Sequence, residues 1–102
     1  MPASVLEIHP EALLEAEADL AFYAARSPGV GARLLAELER AVDLVAEAPQ
    51  RWHPYVLDTR RYVLRDFPYS VVYRESAGVV TIYAFAHAKR RPGYWRTRLP
   101  GR

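Results

Sequence analysis

Between Phe85 and Arg98 an apolar run gives way to a basic and aromatic tail, and this tail holds the side chains best suited to chemistry. The first polar one is His87, which we predict to end a strand. A histidine beside cations can keep a neutral ring that acts as a base or an acid near neutral pH. It can equally be buried and fix the tail through a hydrogen bond, since buried polar groups usually serve such networks. The basic residues that follow in this tail are Lys89, Arg90, Arg91, Arg96 and Arg98.

Aromatic residues stand among the arginines of this tail, where Tyr94 and Trp95 follow Pro92-Gly93. Aromatic rings interleaved with arginine can stack on the bases of a nucleic acid. They can also anchor a C-terminal segment over the core of the protein. For Trp95 we favour the anchor, because a ring of that size gains most from burial.

A second group of cations lies on a strand that we predict over residues 60–65. Side chains alternate along a strand, so Arg61 and Arg65 are expected to share one face. Guanidinium groups on an open face suit phosphate or carboxylate binding, because each offers a forked pair of donors. For Arg60 the alternative is equally good, namely a solvated edge strand that uses charge to prevent aggregation.

No residue pattern in the sequence indicates a metal or cofactor site. The chain has no cysteine, which excludes disulfides and thiolate ligands. Its histidines, His9, His53 and His87, are far apart, and none stands at ligand spacing with another histidine or a carboxylate. Gly29-Val30-Gly31 follows a predicted helix and lacks the third glycine of a dinucleotide-binding loop, so we interpret it as a helix start. We therefore expect neither a metal nor a cofactor.

Charge is divided unevenly between the two halves of the chain. Residues 1–48 carry nine acidic and three basic side chains, whereas residues 49–102 carry three acidic and eleven basic ones. No acidic residue follows Glu75. A basic half attracts an anionic partner, either a nucleic acid or an acidic protein segment. An equally good explanation is that solvated helices favour glutamate while strands and tails favour arginine.

Length and composition predict a single domain over residues 1–102. Hydrophobic residues make up 51% of the chain, which is ordinary for a globular protein and argues against disorder. The sequence does not open on a basic segment followed by an apolar run, and no apolar stretch is long enough to span a bilayer. Together with the lack of cysteine, this predicts a cytoplasmic protein that does not act at a membrane.

Two helices are predicted to follow a short strand over residues 4–8. Pro10 opens the first helix, which runs over residues 10–26 with apolar residues at helical spacing. A second helix runs over residues 28–48 and ends at Pro49. Because the break between them is so short, the helices should pair as an antiparallel hairpin.

The first helix has a predicted core face and a predicted solvated face. The apolar stripe expected to face the core is Leu13, Ala16, Leu20, Tyr23 and Ala24. Glu15 and Asp19 fall on the other side and are expected to be solvated.

The second half of the chain changes to the period of strands. Strands are predicted over residues 60–65, 69–75 and 79–86, where β-branched and aromatic residues are enriched. Short turns between them predict an antiparallel meander. The element order β-α-α-β-β-β predicts an α+β fold, in which an antiparallel two-helix hairpin packs on one face of a small antiparallel sheet. The other face is expected to be open and to carry much of the arginine.

Taken in order, several short segments of the sequence resemble the RelE/ParE toxins of bacterial type II toxin–antitoxin systems. These segments are His9-Pro10, Pro49 with Arg51-Trp52, Arg60-Arg61-Tyr62, Phe67-Pro68-Tyr69-Ser70-Val71-Val72-Tyr73, and His87 with Arg91-Pro92-Gly93-Tyr94-Trp95. The resemblance extends from the first strand to Arg98. Order and spacing make it specific for the family but not for a cellular target.

The resemblance implies a fold, a partner and a toxic activity. The fold is a helical hairpin packed on an antiparallel sheet. The partner is an antitoxin encoded next to the toxin, whose C-terminal segment wraps the toxin and blocks its active surface. The resemblance also implies either a homodimer or a heterotetramer with the antitoxin. Growth inhibition and plasmid stabilisation are the roles it implies. RelE-like members cut mRNA on the ribosome, whereas ParE-like members poison DNA gyrase and are not nucleases.

RNA cleavage by the 2′-hydroxyl group needs a base, a cation that stabilises the charged phosphorane, and an acid. The candidate catalytic residues for these roles are His87, Arg65 with Arg61, and Tyr94. The nucleases of the family generally carry an arginine three residues before the tyrosine of the middle strand, and here Ser70 occupies that position. This departure argues against ribonuclease activity, and the Phe67-Pro68-Tyr69 turn resembles the ParE-like branch.

Three hypotheses result from the sequence. The first is a growth-inhibiting toxin that binds a macromolecular target, gyrase-like more than ribosome-like, and is neutralised by an antitoxin. The second is an mRNA endoribonuclease, and the third is an antitoxin-binding module that has lost its toxicity. The residues expected to bind the target or the antitoxin are Arg60, Arg61, Lys89, Arg90, Arg91, Trp95 and Arg96.

Overall fold

The computed structural model describes residues 5–101, which form one sheet, two helices and a C-terminal segment. The strands are β1 (Val5–Ile8), β2 (His53–Tyr55), β3 (Thr59–Val63), β4 (Tyr69–Ser76) and β5 (Val79–His87). The helices are α1 (Pro10–Arg26) and α2 (Pro28–Glu47), and single 3₁₀ turns span Val56–Asp58 and Arg96–Arg98. Residue 4, where we predicted the first strand to start, lies outside the described residues.

The two predicted helices are confirmed almost to the residue. Pro10 and Pro28 stand in their first turns, where the missing proline N–H costs nothing because that group has no partner within the helix. His9 caps α1, because its Nδ1 accepts the backbone N–H of Glu11 at 3.1 Å. The helices touch at their connected end, where Gly31 lies against the backbone of Ala24.

The five strands form a mixed sheet in the order β1-β5-β4-β3-β2. The predicted meander is confirmed, since β4 pairs antiparallel with both β3 and β5. The expectation of a wholly antiparallel sheet was wrong, because β1 pairs parallel with β5. The strand β2 was not predicted, since it has only three residues and one of them is Pro54, which cannot donate to the ladder.

One face of the sheet packs on the helical hairpin and forms the larger core. The fully buried side chains of this face are Val71, Tyr73, Val80 and Ile82, which meet Leu34, Ala41 and Val45 from α2. A β-bulge at Tyr83 interrupts the alternation along β5, because Val72 pairs with Ala84 and Tyr73 pairs with Ile82. The bulge lets Ile82 and Phe85, three residues apart, both join the core on the helix side.

The second face of the sheet is not open as expected, because the C-terminal segment covers it. Trp95 and Leu99 pack there against Val72, Tyr83 and Ala84. Trp95 is only 1% exposed, which confirms its predicted role as an anchor. No helix within residues 5–101 is long and apolar enough to cross a membrane.

Candidate functional site

A cationic pocket of about 310 Å³ opens between the ends of β3, β4 and β5 and the C-terminal segment. Its basic lining residues are Arg61, His87, Arg90 and Arg91, and its aromatic ones are Tyr55, Tyr69, Tyr94 and Trp95. None of the lining residues, all within the described part of the chain, is acidic. The pocket therefore favours an anionic ligand.

Aromatic rings hold two of the guanidinium groups at the pocket. The Cζ atom of Arg61 lies 4.2 Å from the ring centroid of Tyr55, and that of Arg90 lies 3.9 Å from the centroid of Tyr94. Within residues 5–101, the only ion pairs within 4.0 Å are those of Arg98 with Glu11 and Glu15. Both stacked arginines can therefore offer their forked N–H groups to a ligand while the cation–π contact holds each guanidinium plane in position.

His87 ends β5 and turns the chain into the basic cluster. Its Nδ1 accepts the backbone N–H of Lys89 at 3.0 Å, and its ring stands edge-on to Tyr69 with centroids 5.0 Å apart. Because Nδ1 accepts a hydrogen bond, a neutral ring carries its proton on Nε2. The half-buried His87 thus fixes the turn at residues 87–90 and also lines the cationic pocket, so both of its predicted roles are compatible with its position.

The Tyr94 side chain is hydrogen-bonded to a residue of α1. Its hydroxyl donates to Oε2 of Glu15 at 2.7 Å. Burial raises the pKa of the Tyr94 phenol, and the hydrogen bond to Glu15 raises it further. The phenol proton is therefore held by a carboxylate from the helical hairpin, which does not suit the acid that releases its proton to a leaving group.

The three candidate catalytic residues are not brought together. The strand β3 ends at Val63, so the prediction that Arg61 and Arg65 share one strand face was wrong. Arg65 lies in the connection to β4, where its backbone N–H donates to Glu37 of α2. Its side chain lines a different crevice, beside Arg33 and Arg40, and not the cationic pocket.

The other predicted binding residues lie in four different places. Arg60 points away from the cationic pocket, and its Nη1 donates to the backbone oxygen of Trp52 at 2.6 Å, which gives it a structural role. Arg96 lines a neighbouring crevice with Arg90, Arg91 and Tyr94. Lys89 is exposed beside the turn. Since Trp95 is buried, it shapes the pocket floor and is not free to stack on a base.

An apolar groove of about 440 Å³ lies between the helices, on the other side of α1. Leu13 and Leu35 stand in it with 46% and 44% of their surfaces exposed. Glu17, Glu39 and Asp43 are its charged lining residues. Leu13 was predicted to face the core and instead borders this groove.

Comparison with known proteins places the chain among toxins. Residues 6–92 match the family model described as the ParE toxin of a type II toxin–antitoxin system, parDE. The chain belongs to the ParE toxin family. Its fold is similar to a solved structure described as the chromosomal ParDE TA system from P. aeruginosa, with a TM-score of 0.76 and 15% sequence identity. The match covers 85% of this chain and 98% of that one. No curated protein matches the sequence.

Ser70 of this ParE-family chain lies within the cationic pocket, between Val63 of β3 and Ala86 of β5. It occupies the position at which we expect an arginine in the nucleases that the chain resembles. A half-buried hydroxyl there adds no positive charge to the pocket. The cation needed to stabilise a phosphorane would therefore have to come from Arg61, Arg90 or Arg91.

Three residues of the site were missed by the sequence reasoning. Tyr55 holds Arg61, and Glu15 and Asp19 face the tail from α1 although a solvated position was expected. Burial raises the pKa of Asp19, and the charge of Glu15 adds to this, whereas a hydrogen bond from Tyr69 and the charges of His87 and Arg90 oppose it. The only sequence signal was that Glu15 and Asp19, four residues apart, lie on one side of the helix.

Among residues 5–101, no group of three or more histidine, cysteine, aspartate or glutamate side chains could hold a metal ion. The cationic pocket itself offers guanidinium, imidazole and aromatic groups. These groups can bind and orient an anion, and they can stack on planar groups.

Proposed function

We propose that this ParE-family toxin acts in the cytoplasm and inhibits growth by binding a macromolecular target through the cationic pocket. The proposed target resembles gyrase more than the ribosome. The observation that carries the proposal is the pocket itself, in which Arg61, Arg90 and Arg91 meet without any acidic lining residue among those described. Forked guanidinium donors on a rigid sheet end suit carboxylate or phosphate groups of a partner.

We also propose that an antitoxin neutralises the toxin by covering the same pocket. Two features support a partner that wraps the molecule. An acidic segment fits the cationic pocket, and an apolar helix fits the groove that exposes Leu13 and Leu35. The name of the similar solved structure describes such a two-component system. The assembly that we propose is a homodimer of the toxin or a heterotetramer with the antitoxin.

The arrangement of the side chains supports binding over RNA cleavage. Arg65 lies in another crevice, Tyr94 donates to Glu15, and Ser70 contributes no charge. A nuclease needs its base, acid and cation around one phosphate. Of the three candidate catalytic residues, only His87 and Tyr94 line the cationic pocket, and the Tyr94 hydroxyl is bonded to Glu15.

Growth after induced expression, followed together with the integrity of cellular RNA, tests the proposal. We expect wild-type protein to arrest growth without RNA fragments, and Arg65→Ala, which lies outside the cationic pocket, to retain most of the arrest. His87→Ala is expected to weaken the arrest with RNA as intact as in wild type, because His87 lines the pocket and fixes its turn. The double variant Arg61→Ala with Arg91→Ala is expected to lose the arrest. Arg40→Ala is the matched control, because it removes an exposed arginine outside the cationic pocket.

Two results of that experiment would contradict the proposal. If RNA is cut and His87→Ala abolishes both cutting and arrest, the chain is an endoribonuclease. If wild-type protein accumulates in the cells after induction and growth continues unchanged, the chain is an antitoxin-binding module without toxicity.

A further inference from the structure

The free edge of β5 is closed by side chains from two distant parts of the chain. The strand β1 covers β5 only as far as the pair of Ile8 and Ile82. Beyond that point, the backbone N–H of Phe85 donates to Oε1 of Glu15 at 3.3 Å. The backbone oxygen of Tyr83 accepts from Nη1 of Arg98 at 2.9 Å. The polar groups of this strand edge are therefore bonded although no strand lies beside them.

Glu15 is the acceptor at the centre of this arrangement. Besides the Phe85 amide, its carboxylate receives the Tyr94 hydroxyl at 2.7 Å and both terminal nitrogens of Arg98, at 2.9 and 3.0 Å. The side chain of Glu15 is 14% exposed and that of Arg98 is 9% exposed. Such a fork between two desolvated charges fixes both orientation and distance. One carboxylate from α1 thus holds the C-terminal segment.

The ring that Glu15 holds carries part of the cationic pocket. Arg90 stacks on the face of Tyr94 at 3.9 Å, and the backbone N–H of Tyr94 donates to the carbonyl of Arg91 at 3.1 Å. Any displacement of the Tyr94 ring therefore moves the surface on which one pocket arginine rests. Through the backbone hydrogen bond, the displacement also shifts the turn that carries Arg91.

We propose that Glu15 is the positioning residue of the cationic pocket, acting through Tyr94 on Arg90 and Arg91. The inference rests on the proposed function of that pocket, since it concerns how the anion-binding arginines are held. Glu15 does not line the pocket and does not touch a ligand there. Its effect is to keep two cations at one spacing, so that a partner does not have to order them on binding.

The substitution that disturbs the structure least removes only the hydrogen bond between Glu15 and Tyr94. In Tyr94→Phe the ring and its contact with Arg90 remain, while the hydroxyl that Glu15 accepts is lost. Tyr83→Phe is the matched control, since it makes the same deletion in the cluster around Trp95. Glu15→Gln removes the charge that holds Arg98, so its fold must be checked by thermal denaturation before its binding is compared.

The measurement is the anisotropy of a fluorescein-labelled oligoglutamate peptide titrated with each folded variant. We expect Tyr94→Phe to bind the peptide about three- to tenfold more weakly than wild type, the effect of one hydrogen bond. Tyr83→Phe should bind like wild type, and Glu15→Gln should lose at least as much as Tyr94→Phe. Hydrogen exchange at the Phe85 amide should quicken in Glu15→Gln.

The outcomes separate this inference from the proposed function. If wild type binds the peptide, Arg61→Ala weakens binding, and Tyr94→Phe and Glu15→Gln bind like wild type, the positioning role is wrong while the pocket stands. If Tyr94→Phe and Tyr83→Phe lose affinity equally, the loss reflects general loosening and the inference is overturned. If wild type does not bind, the anion pocket is wrong and the positioning role falls with it.

Discussion

At the scale of single residues, the C-terminal segment depends on one ion pair. Arg98 and Glu15 are both largely removed from water, at 9% and 14% side-chain exposure. Burial alone would lower the pKa of Arg98, but the hydrogen bonds and charge of Glu15 outweigh it and raise that pKa. The two charges therefore stabilise each other. Without Glu15, Arg98 would keep only the exposed Glu11 as an ion-pair partner, and without Arg98, Glu15 would keep only uncharged hydrogen-bond donors.

Removing both members of this pair should cost less than the sum of the two single losses. We expect Arg98→Met and Glu15→Leu each to lower the free energy of unfolding by about 3 kcal/mol, and the double variant to lose little more than either single variant. Urea denaturation of the four proteins measures this. Additive losses in the double variant would show that the pair is not coupled.

The raised pKa of Asp19 predicts a pH-dependent stability. Because burial makes the folded state hold this proton more tightly than the unfolded state, Asp19 favours folding at low pH and that contribution is lost as pH rises through its folded pKa. Asp19→Asn should therefore gain stability relative to wild type as pH rises toward neutrality. Unfolding by urea across the acidic to neutral range measures the difference.

Glu17→Gln is the control for this pH dependence, because it removes an exposed carboxylate from the same helix. A difference between Asp19→Asn and wild type that stays constant across the pH range would contradict the raised pKa.

At the scale of elements, the contact between α1 and α2 depends on the absence of one side chain. A Cβ atom on Gly31 would lie 2.9 Å from Cα of Ala24 and 3.0 Å from its backbone nitrogen. Neither atom can move without moving the helix. By contrast, a Cβ on Gly29 in the same helix would meet nothing within 4 Å.

These two glycines predict opposite effects of the same substitution. Gly31→Ala should lower the free energy of unfolding by about 1–3 kcal/mol, because the clash outweighs the helix propensity gained. Gly29→Ala should raise it by up to about 1 kcal/mol, since it gains the propensity without a clash. Thermal or urea unfolding of both variants gives the comparison. Equal shifts of either sign would contradict the close helix contact.

The elements that the sequence predicted well are those with local signals. Pro10 and Pro28 mark the starts of both helices, and the apolar period within them continues to their ends. The parallel pairing of β1 with β5 has no local signal, because either edge of the meander would satisfy the same apolar pattern. Arg65 was misplaced because β3 ends two residues before it, at Val63.

The candidate site was predicted in two pieces, Arg61 on β3 and the basic, aromatic tail. The cluster from His87 to Trp95 lines the cationic pocket largely as the tail suggested. Glu15 could not be predicted, since its partners Phe85, Tyr94 and Arg98 lie 70 to 83 residues away. Trp95 was predicted as an anchor from ring size alone, because burying a large apolar surface is favourable wherever it happens.

At the scale of the whole molecule, the acidic and the basic halves of the sequence form two different surfaces. The acidic half forms the helical hairpin, whose apolar groove is bordered by Glu17, Glu39 and Asp43. The basic half forms the sheet end with the cationic pocket. Complementary potentials speed association and select partners more than they strengthen binding. A partner that covers both surfaces needs an acidic segment and an apolar one.

Supercoiling of relaxed plasmid by purified gyrase tests the claim that the cationic pocket acts on a gyrase-like target. We predict that added wild-type protein and Arg40→Ala inhibit supercoiling with increasing dose. The double variant Arg61→Ala with Arg91→Ala should leave it unaffected. Supercoiling that proceeds normally in excess wild-type protein, from a preparation that arrests growth in cells, would contradict the claim.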